Sequence, residues 1–518
     1  MVGVPGKSKA CINCRKRRSQ CDMKRPSCGQ CQRSGIKCAG YQKEFIFLNS
    51  TTQEGQDGSL SLEKESYSAG NRIKNPAAAS SVASRAVGTR ATPTPVVLHE
   101  TLERSAYENN VIDDFWASYL PNGRAPSEEA MKYSTYGWTS VAQNLHTEDP
   151  TIRIALLASA LGMIGRQRND SEIFQQSRKA YGKTLLAVEK SLRDPGKHEA
   201  HVVLTALRLL LRGKYLFRIK PLLSFSLDKA LWFGSDGDGS AAQYHRLMAH
   251  TNGTMAYLLT KGPDEFSEGC AHQLFSEFRL SQVVAGLYAH KVSPLARHEW
   301  KGIPWNEIPK TPRDTLFDIM LEFPGLFEES DRINALGGGD EQLAHAQWLL
   351  TEKCYRLHED LEAWAERDGK KALELAELVN WEEADTASST TSSEEFAMGH
   401  LLMLHHASRI ILYDALRSHT GSNVESMPGY VDPRLYCRKM GNFIPFFLVP
   451  NAGSVFLDMA IFPITIALDY LSRNEETEPS TEKLLLLRAF QGHVGAAAAM
   501  LLTSYQRTRK PAGRPFLE

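Results

Sequence analysis

Six of the nine cysteines fall within 28 residues, in the order Cys11-x2-Cys14-x6-Cys21-x6-Cys28-x2-Cys31-x6-Cys38. Each of the first three recurs 17 residues later, so the segment is an internal repeat. Clustered thiols away from an oxidising compartment read as metal ligands or redox groups rather than structural disulfides. Each half offers three thiolates, whereas a closed tetrahedral zinc site needs four. Two halves therefore complete two tetrahedra only by sharing cysteines between two Zn²⁺ ions. A segment this short has almost no apolar core, so metal binding would supply its folding energy.

Charge is partitioned along the chain in the same way. The 518 residues carry 60 Lys or Arg and 60 Asp or Glu, a formal net charge of zero. Residues 1–43 hold 11 of the bases and one acid, Asp22, whereas the remaining 475 residues are net −10. A basic head on an acidic body points to a polyanionic partner for the head. That charge also argues against a metal buffer or thiol switch, neither of which needs it beside the ligands.

The string CINCRKRRSQCDMKRPSCGQCQRSGIKC resembles the fungal binuclear zinc-cluster family of transcription factors. The likeness covers every ligand position, the basic run after the second cysteine, Asp22 and Pro26. It implies that Cys11 and Cys28 bridge the two zinc ions and that Cys14, Cys21, Cys31 and Cys38 are terminal ligands. Arg15, Lys16, Arg17 and Arg18 follow Cys14 on an expected short helix, and such a helix can enter the major groove of double-stranded DNA. An arginine fork bonds O6 and N7 of guanine together. The resemblance puts readers of a CGG-type triplet at Arg17 and Arg18. Arg15, Lys24, Arg25, Arg33 and Lys37 then look like phosphate contacts that set register. The family often has lysine at the position of Arg18 and a basic residue at that of Gln20, and lysine is not equivalent to arginine at a base edge. The RKRR run would also satisfy a nuclear-import signal.

Stepwise along the chain, the expected fold class is a small metal-folded zinc-cluster domain, a disordered linker and a large all-α domain. The boundaries read as 1–45, 46–100 and 101–518. The linker contains SSVASRAVGTRATPTP and has no sustained periodicity. Only Leu60 and Leu62 are available there for a coiled coil, far short of three or four heptads. A homodimer would thus have to be made by the large domain, and a monomer is the other arrangement. Beyond residue 100, apolar residues recur every third or fourth place at 151–166, 340–366, 396–417, 453–472 and 480–505, with little strand-like alternation. At 42% hydrophobic residues the chain can fill a large core. The layout resembles the fungus-specific regulatory domain that follows such clusters, carried by Phe115-Trp116, His250-x-x-Gly253 and Lys261-Gly262-Pro263.

The body shows no HExxH, GxSxG or phosphate-cradling Gly-Lys loop, so no enzyme is expected. His400, His405 and His406 read as packed or surface histidines, and Cys270, Cys354 and Cys437 as buried small hydrophobes. Residues 374–395 mix seven acids with Leu375, Leu378, Val379 and Trp381 and contain no Lys or Arg. An amphipathic helix leading into a surface loop is the plainer reading, and an activation segment the other. Gly213-Lys214-Tyr215 can be encoded as GGT-AAG-TAT, so the basic, apolar stretch 213–229 also reads as a retained intron.

No signal peptide is expected, because MVGVPGKSKA has no apolar run. No membrane span is expected either. Pro445, Pro450, Asp458 and Pro463 interrupt the apolar run 443–470, and Arg488 and His493 interrupt 484–502. The expected function is a nuclear, sequence-specific regulator of RNA polymerase II genes. Its partners would be double-stranded DNA and the transcription machinery or co-regulators. Family association of the Cys38–Tyr41 tail with an acidic helical body adds the control of a secondary-metabolite gene cluster.

Overall fold

The computed structural model describes residues 13–14, 17, 19–22, 28–36, 38, 100–193, 199–217, 239–335, 340–378, 391–420, 429–474 and 480–487. The chain divides into two compact units, Met1–Val96 and Val97–Glu518.

In the first unit the secondary structure is short and organised by cysteines. Helix α1 (Gly29–Arg33) begins at Cys28, whose extended backbone places its sulfur to accept the Cys31 N–H. It ends at Ser34, followed by Gly35 at φ +65°, a left-handed turn that glycine adopts without a Cβ penalty. The first half has a matching helical turn at Asn13–Cys14, closed by Arg17 N–H to Asn13 O and Ser19 N–H to Cys14 O, each 3.0 Å.

The second unit is built of helices, and no strand occurs among the described residues. Its longer helices are α2 (Glu100–Tyr119), α3 (Pro150–Gln167), α4 (Ser171–Arg193), α5 (Ala200–Phe217), α6 (Gly239–Lys261) and α7 (Gly269–Ala289). They continue as α8 (Pro312–Met320), α9 (Phe323–Ala335), α10 (Asp340–Glu366), α11 (Lys370–Leu378) and α12 (Ser393–Thr420). The last three are α13 (Pro433–Leu448), α14 (Val455–Asn474) and α15 (Thr481–Leu487). Helix α3 packs on α2, α4 and α5, forming one layered group. Helix α12 packs on α10, α13 and α14 and is buried on every side from Phe396 to Tyr413. Apolar residues run around the whole helix over that stretch, with His400, His405, His406, Ser408 and Arg409 buried among them.

The α3–α4 hairpin shows how local chemistry sets a turn. Asn169 takes φ +52°, and the Asp170 carboxylate accepts the N–H groups of Glu172 and Ile173 at 2.9 and 3.1 Å. Gly165 allows the two helices to close, because a Cβ there would lie 2.8 Å from the Phe174 nitrogen.

One group of buried polar residues joins several elements. Ser276 Oγ on α7 donates to Asp314 on α8 at 2.6 Å, and Arg279 Nη1 donates to the Asp314 carbonyl at 3.2 Å. Arg313 donates to the carbonyls of Met131 and Ser134 at 3.1 and 2.6 Å, and Trp364 Nε1 on α10 to Pro312 O at 2.9 Å. Burial by itself would raise the Asp314 carboxyl pKa. Arg313, Arg279 and the Ser276 and Thr311 hydroxyls outweigh it and hold the group far below the usual carboxylate range.

His400, His405 and His406 are all buried. His400 Nε2 lies 3.2 Å from Met459 O, and His405 stacks on Trp364 at 5.1 Å. Cys354 and Cys437 are buried as expected, but Cys270 is exposed. It is the second residue of α7, within the exposed run 268–270 where the helix begins and ahead of the buried residues that start at His272. In the acidic stretch, Leu375 packs on the core from α11, in keeping with the amphipathic-helix reading, whereas Val379 and Trp381 lie outside the described residues. Helix α5 runs through Gly213 to Phe217, and 218–229 likewise lies outside them. Among the described residues no helix is long and apolar enough to cross a membrane.

Candidate metal centre and nucleic-acid interface

The described sulfurs converge. Cys14, Cys28 and Cys31 are buried, and their Sγ atoms lie within 4.8 Å of one another. Cys14 Sγ and Cys28 Sγ are 3.7 Å apart. A second group, Cys21 Sγ, an Asp22 carboxylate oxygen and Cys28 Sγ, meets the same spacing. Cys28 belongs to both groups. Cys21 and Cys38 are half-buried and pack against the buried three. This soft donor set at sub-5 Å spacing suits thiolate-bound zinc. Cys11 lies outside the described residues.

Position follows from local folding. Cys14 sits in the first helical turn, Cys28 is the N-cap of α1, and Cys31 is inside it. An x2 spacing puts two cysteines on one turn, so both sulfurs face the same side. The Asp22 carboxylate then accepts the Gly29 N–H, at 2.9 Å to Oδ1 and 3.0 Å to Oδ2. Sequence reasoning noted Asp22 as the lone acid of the basic segment and as part of the resemblance, and passed over Gly29. The signal was a break in the repeat: 17 residues from Asp22 stands Ala39, and 17 residues before Gly29 stands Ile12.

Of the basic residues, Arg17 and Arg33 are described and both are exposed. Arg17 closes the turn that holds Cys14, and Arg33 Nε reaches back to Gly29 O at 3.4 Å. Arg15, Lys16, Arg18, Lys24, Arg25 and Lys37 lie outside the described residues. Zinc would make the cysteines anionic, and the exposed cations beside them leave this surface attractive to phosphate.

Residues 9–45 match the fungal Zn(2)-Cys(6) binuclear cluster domain. No curated protein and no solved structure matches the chain. The class defined by this domain and its converging sulfurs is that of the fungal zinc-cluster DNA-binding transcription factors. The N-terminal segment is such a domain, one that binds two zinc ions through six cysteines.

Proposed function

We propose that this chain is a nuclear regulator of RNA polymerase II genes that reads a CGG-like triplet and controls a secondary-metabolite gene cluster. The observation that carries the reading is the exposed Arg17, fixed by backbone hydrogen bonds to the turn that buries Cys14. Metal binding and base reading are thereby coupled through a few residues of chain. Cys11 and Cys28 would bridge the two zinc ions, and the membership of Cys28 in both donor groups supports its part. Zinc held there would supply fixed charge and cross-links between the two halves. Arg17 and Arg18 would meet the groove, with Lys16 beside them in the sequence. Arg15, Lys24, Arg25, Arg33 and Lys37 would neutralise phosphates.

The helical body, 101–518, serves in this reading as a regulatory domain joined by the linker 46–100, recruiting co-regulators rather than performing catalysis. Selection from random duplexes by the zinc-loaded chain tests the base reading, and enrichment of CGG-like triplets is expected. Genome-wide binding tests the biological role: peaks gathered at neighbouring biosynthetic genes support it, and peaks scattered without them sink it.

A further inference from the structure

The body is acidic in total, but α4 is not. It carries Arg178, Lys179, Lys183, Lys190 and Arg193 against Glu172 and Glu189, and all five bases are exposed. Ser177, Thr184, Val188 and Ser191 point inward, toward α3 and α5. At 100° per residue, Lys179, Lys183, Leu186, Lys190 and Arg193 fall on the opposite side as one continuous stripe. Among the described residues Arg193 pairs with Glu189 at 2.5 Å, while Lys179, Lys183 and Lys190 form no ion pair. Leu186, at the middle of the stripe, is 63% exposed. A row of cations on a rigid helix, with their aliphatic stems spread over the surface, is a ready electrostatic footprint.

We propose that this face of α4 is a second DNA-contacting surface, which binds the phosphate backbone beside the site held by the zinc cluster. The inference rests on the DNA-binding reading of the N-terminal domain. The occupant follows from charge complementarity and from what the chain already holds, since the cluster brings a polyanion to the same molecule at high effective concentration. The stripe from Lys179 to Arg193 is about 21 Å long at 1.5 Å per residue. That length covers roughly six base pairs of rise, enough for two or three phosphate contacts. The 61 residues between Cys38 and Glu100 could span up to about 200 Å when extended, so chain length does not restrict which face of the body meets DNA. The contact carries no sequence information; it would lengthen the footprint and raise affinity in a salt-dependent way.

The test compares the full, zinc-loaded chain on two duplexes sharing one cluster site: a minimal duplex and one extended by about 15 base pairs on each side. Fluorescence anisotropy across a salt series should show the wild type binding the long duplex roughly tenfold tighter at low salt. Its slope of log affinity against log salt should be steeper by about 2, because each phosphate contact contributes about 0.9. The triple variant Lys179→Gln, Lys183→Gln, Lys190→Gln should bind both duplexes alike, and Lys183→Glu alone should lose part of the gain. All of these side chains are exposed, and circular dichroism verifies the fold. A wild type indifferent to duplex length, or a triple variant that keeps the length dependence, overturns the proposal. So does a triple variant with normal DNA binding and lost transcriptional output, which would assign the stripe to an acidic protein. Failure of the wild type to bind either duplex would instead remove the cluster reading, and this inference with it.

Discussion

Asp22 and Gly29 form a clip between the two halves of the cysteine repeat: both carboxylate oxygens lie within 3.0 Å of one backbone N–H. The donor is the first residue of α1, where the helix has unsatisfied N–H groups and a partial positive charge. A Cβ at position 29 would stand 2.5 Å from Asp22 Oδ2, so an alanine there would push the carboxylate out of its two-oxygen contact. The clip also exists in one direction only, so the two halves are related in sequence but not equivalent in structure.

Gly29→Ala should therefore loosen the cluster. A lost charge-assisted cap is worth about 1–2 kcal/mol, and because binding energy is folding energy here, zinc affinity should fall about tenfold. Competition with a chromophoric chelator reads the change. In the Asp22→Ala background the clash is gone, so adding Gly29→Ala should cost much less than it does alone. Additive losses in that double-mutant cycle would show that the two residues do not interact.

The base-reading assignment separates by sequence dependence. Arg17→Ala and Arg18→Ala should each weaken the cognate site by about 1–3 kcal/mol while leaving random DNA nearly unchanged. Lys24→Ala should weaken both alike and lower the salt slope by about 1. Equal losses for Arg18→Ala on cognate and random duplexes would move it to the phosphate class.

Much of this centre was legible in the sequence, because metal coordination turns spacing into geometry: Cys14, Cys28 and Cys31 converge as the period of 17 requires. The helices were legible too, since α10 spans the periodic run 340–366 and α3 the run 151–166. What escaped were relationships that period cannot express. Ser276 and Asp314 meet across 38 residues. The exposure of Cys270 depends on its place at the exposed start of α7, and the stripe on α4 is visible only once its buried face is known. Net charge hid both basic surfaces, since opposite charges elsewhere cancel them in a sum.

Asp314 and Glu277 lie near the same cation, Arg313, and should respond oppositely to neutralisation. Asp314 is held ionised, so its folded pKa lies below its unfolded one and its stabilisation, present at neutral pH, is lost as pH falls below about 4. Asp314→Asn should destabilise the body by about 3 kcal/mol at pH 7, as breaking a buried pair does. Burial raises the Glu277 carboxyl pKa, against the pull of Arg313 and Arg208. Glu277→Gln keeps an oxygen for the Trp138 N–H and removes a desolvated charge, so its stability at pH 7 should be unchanged or higher. Denaturant melts of the two variants side by side check both signs. A larger loss for Glu277→Gln than for Asp314→Asn would reverse the assignment.

Acid should act on the core of the body before it reaches the carboxylates. Desolvation lowers the His400 imidazole to about 4 and His406 to about 3, and His405 falls well below its usual value. In the unfolded chain these groups titrate near 6.5. Between that pH and their folded values the unfolded state binds more protons, so stability falls as pH falls, by about 1.4 kcal/mol per pH unit for each histidine. Three together would remove roughly 4 kcal/mol between pH 6 and 5, before the Asp314 window opens. His406 packs against Tyr436 and Phe443, with ring centroids 5.4 and 6.3 Å away, so His406→Phe keeps an aromatic ring in place without a titrating group. Unfolding free energies measured at pH 7, 6 and 5 should show a shallower acid slope in that variant, by about 1.4 kcal/mol per unit. An unchanged slope would mean that His406 is already protonated in the folded body, which its 3% exposure among aromatic neighbours argues against.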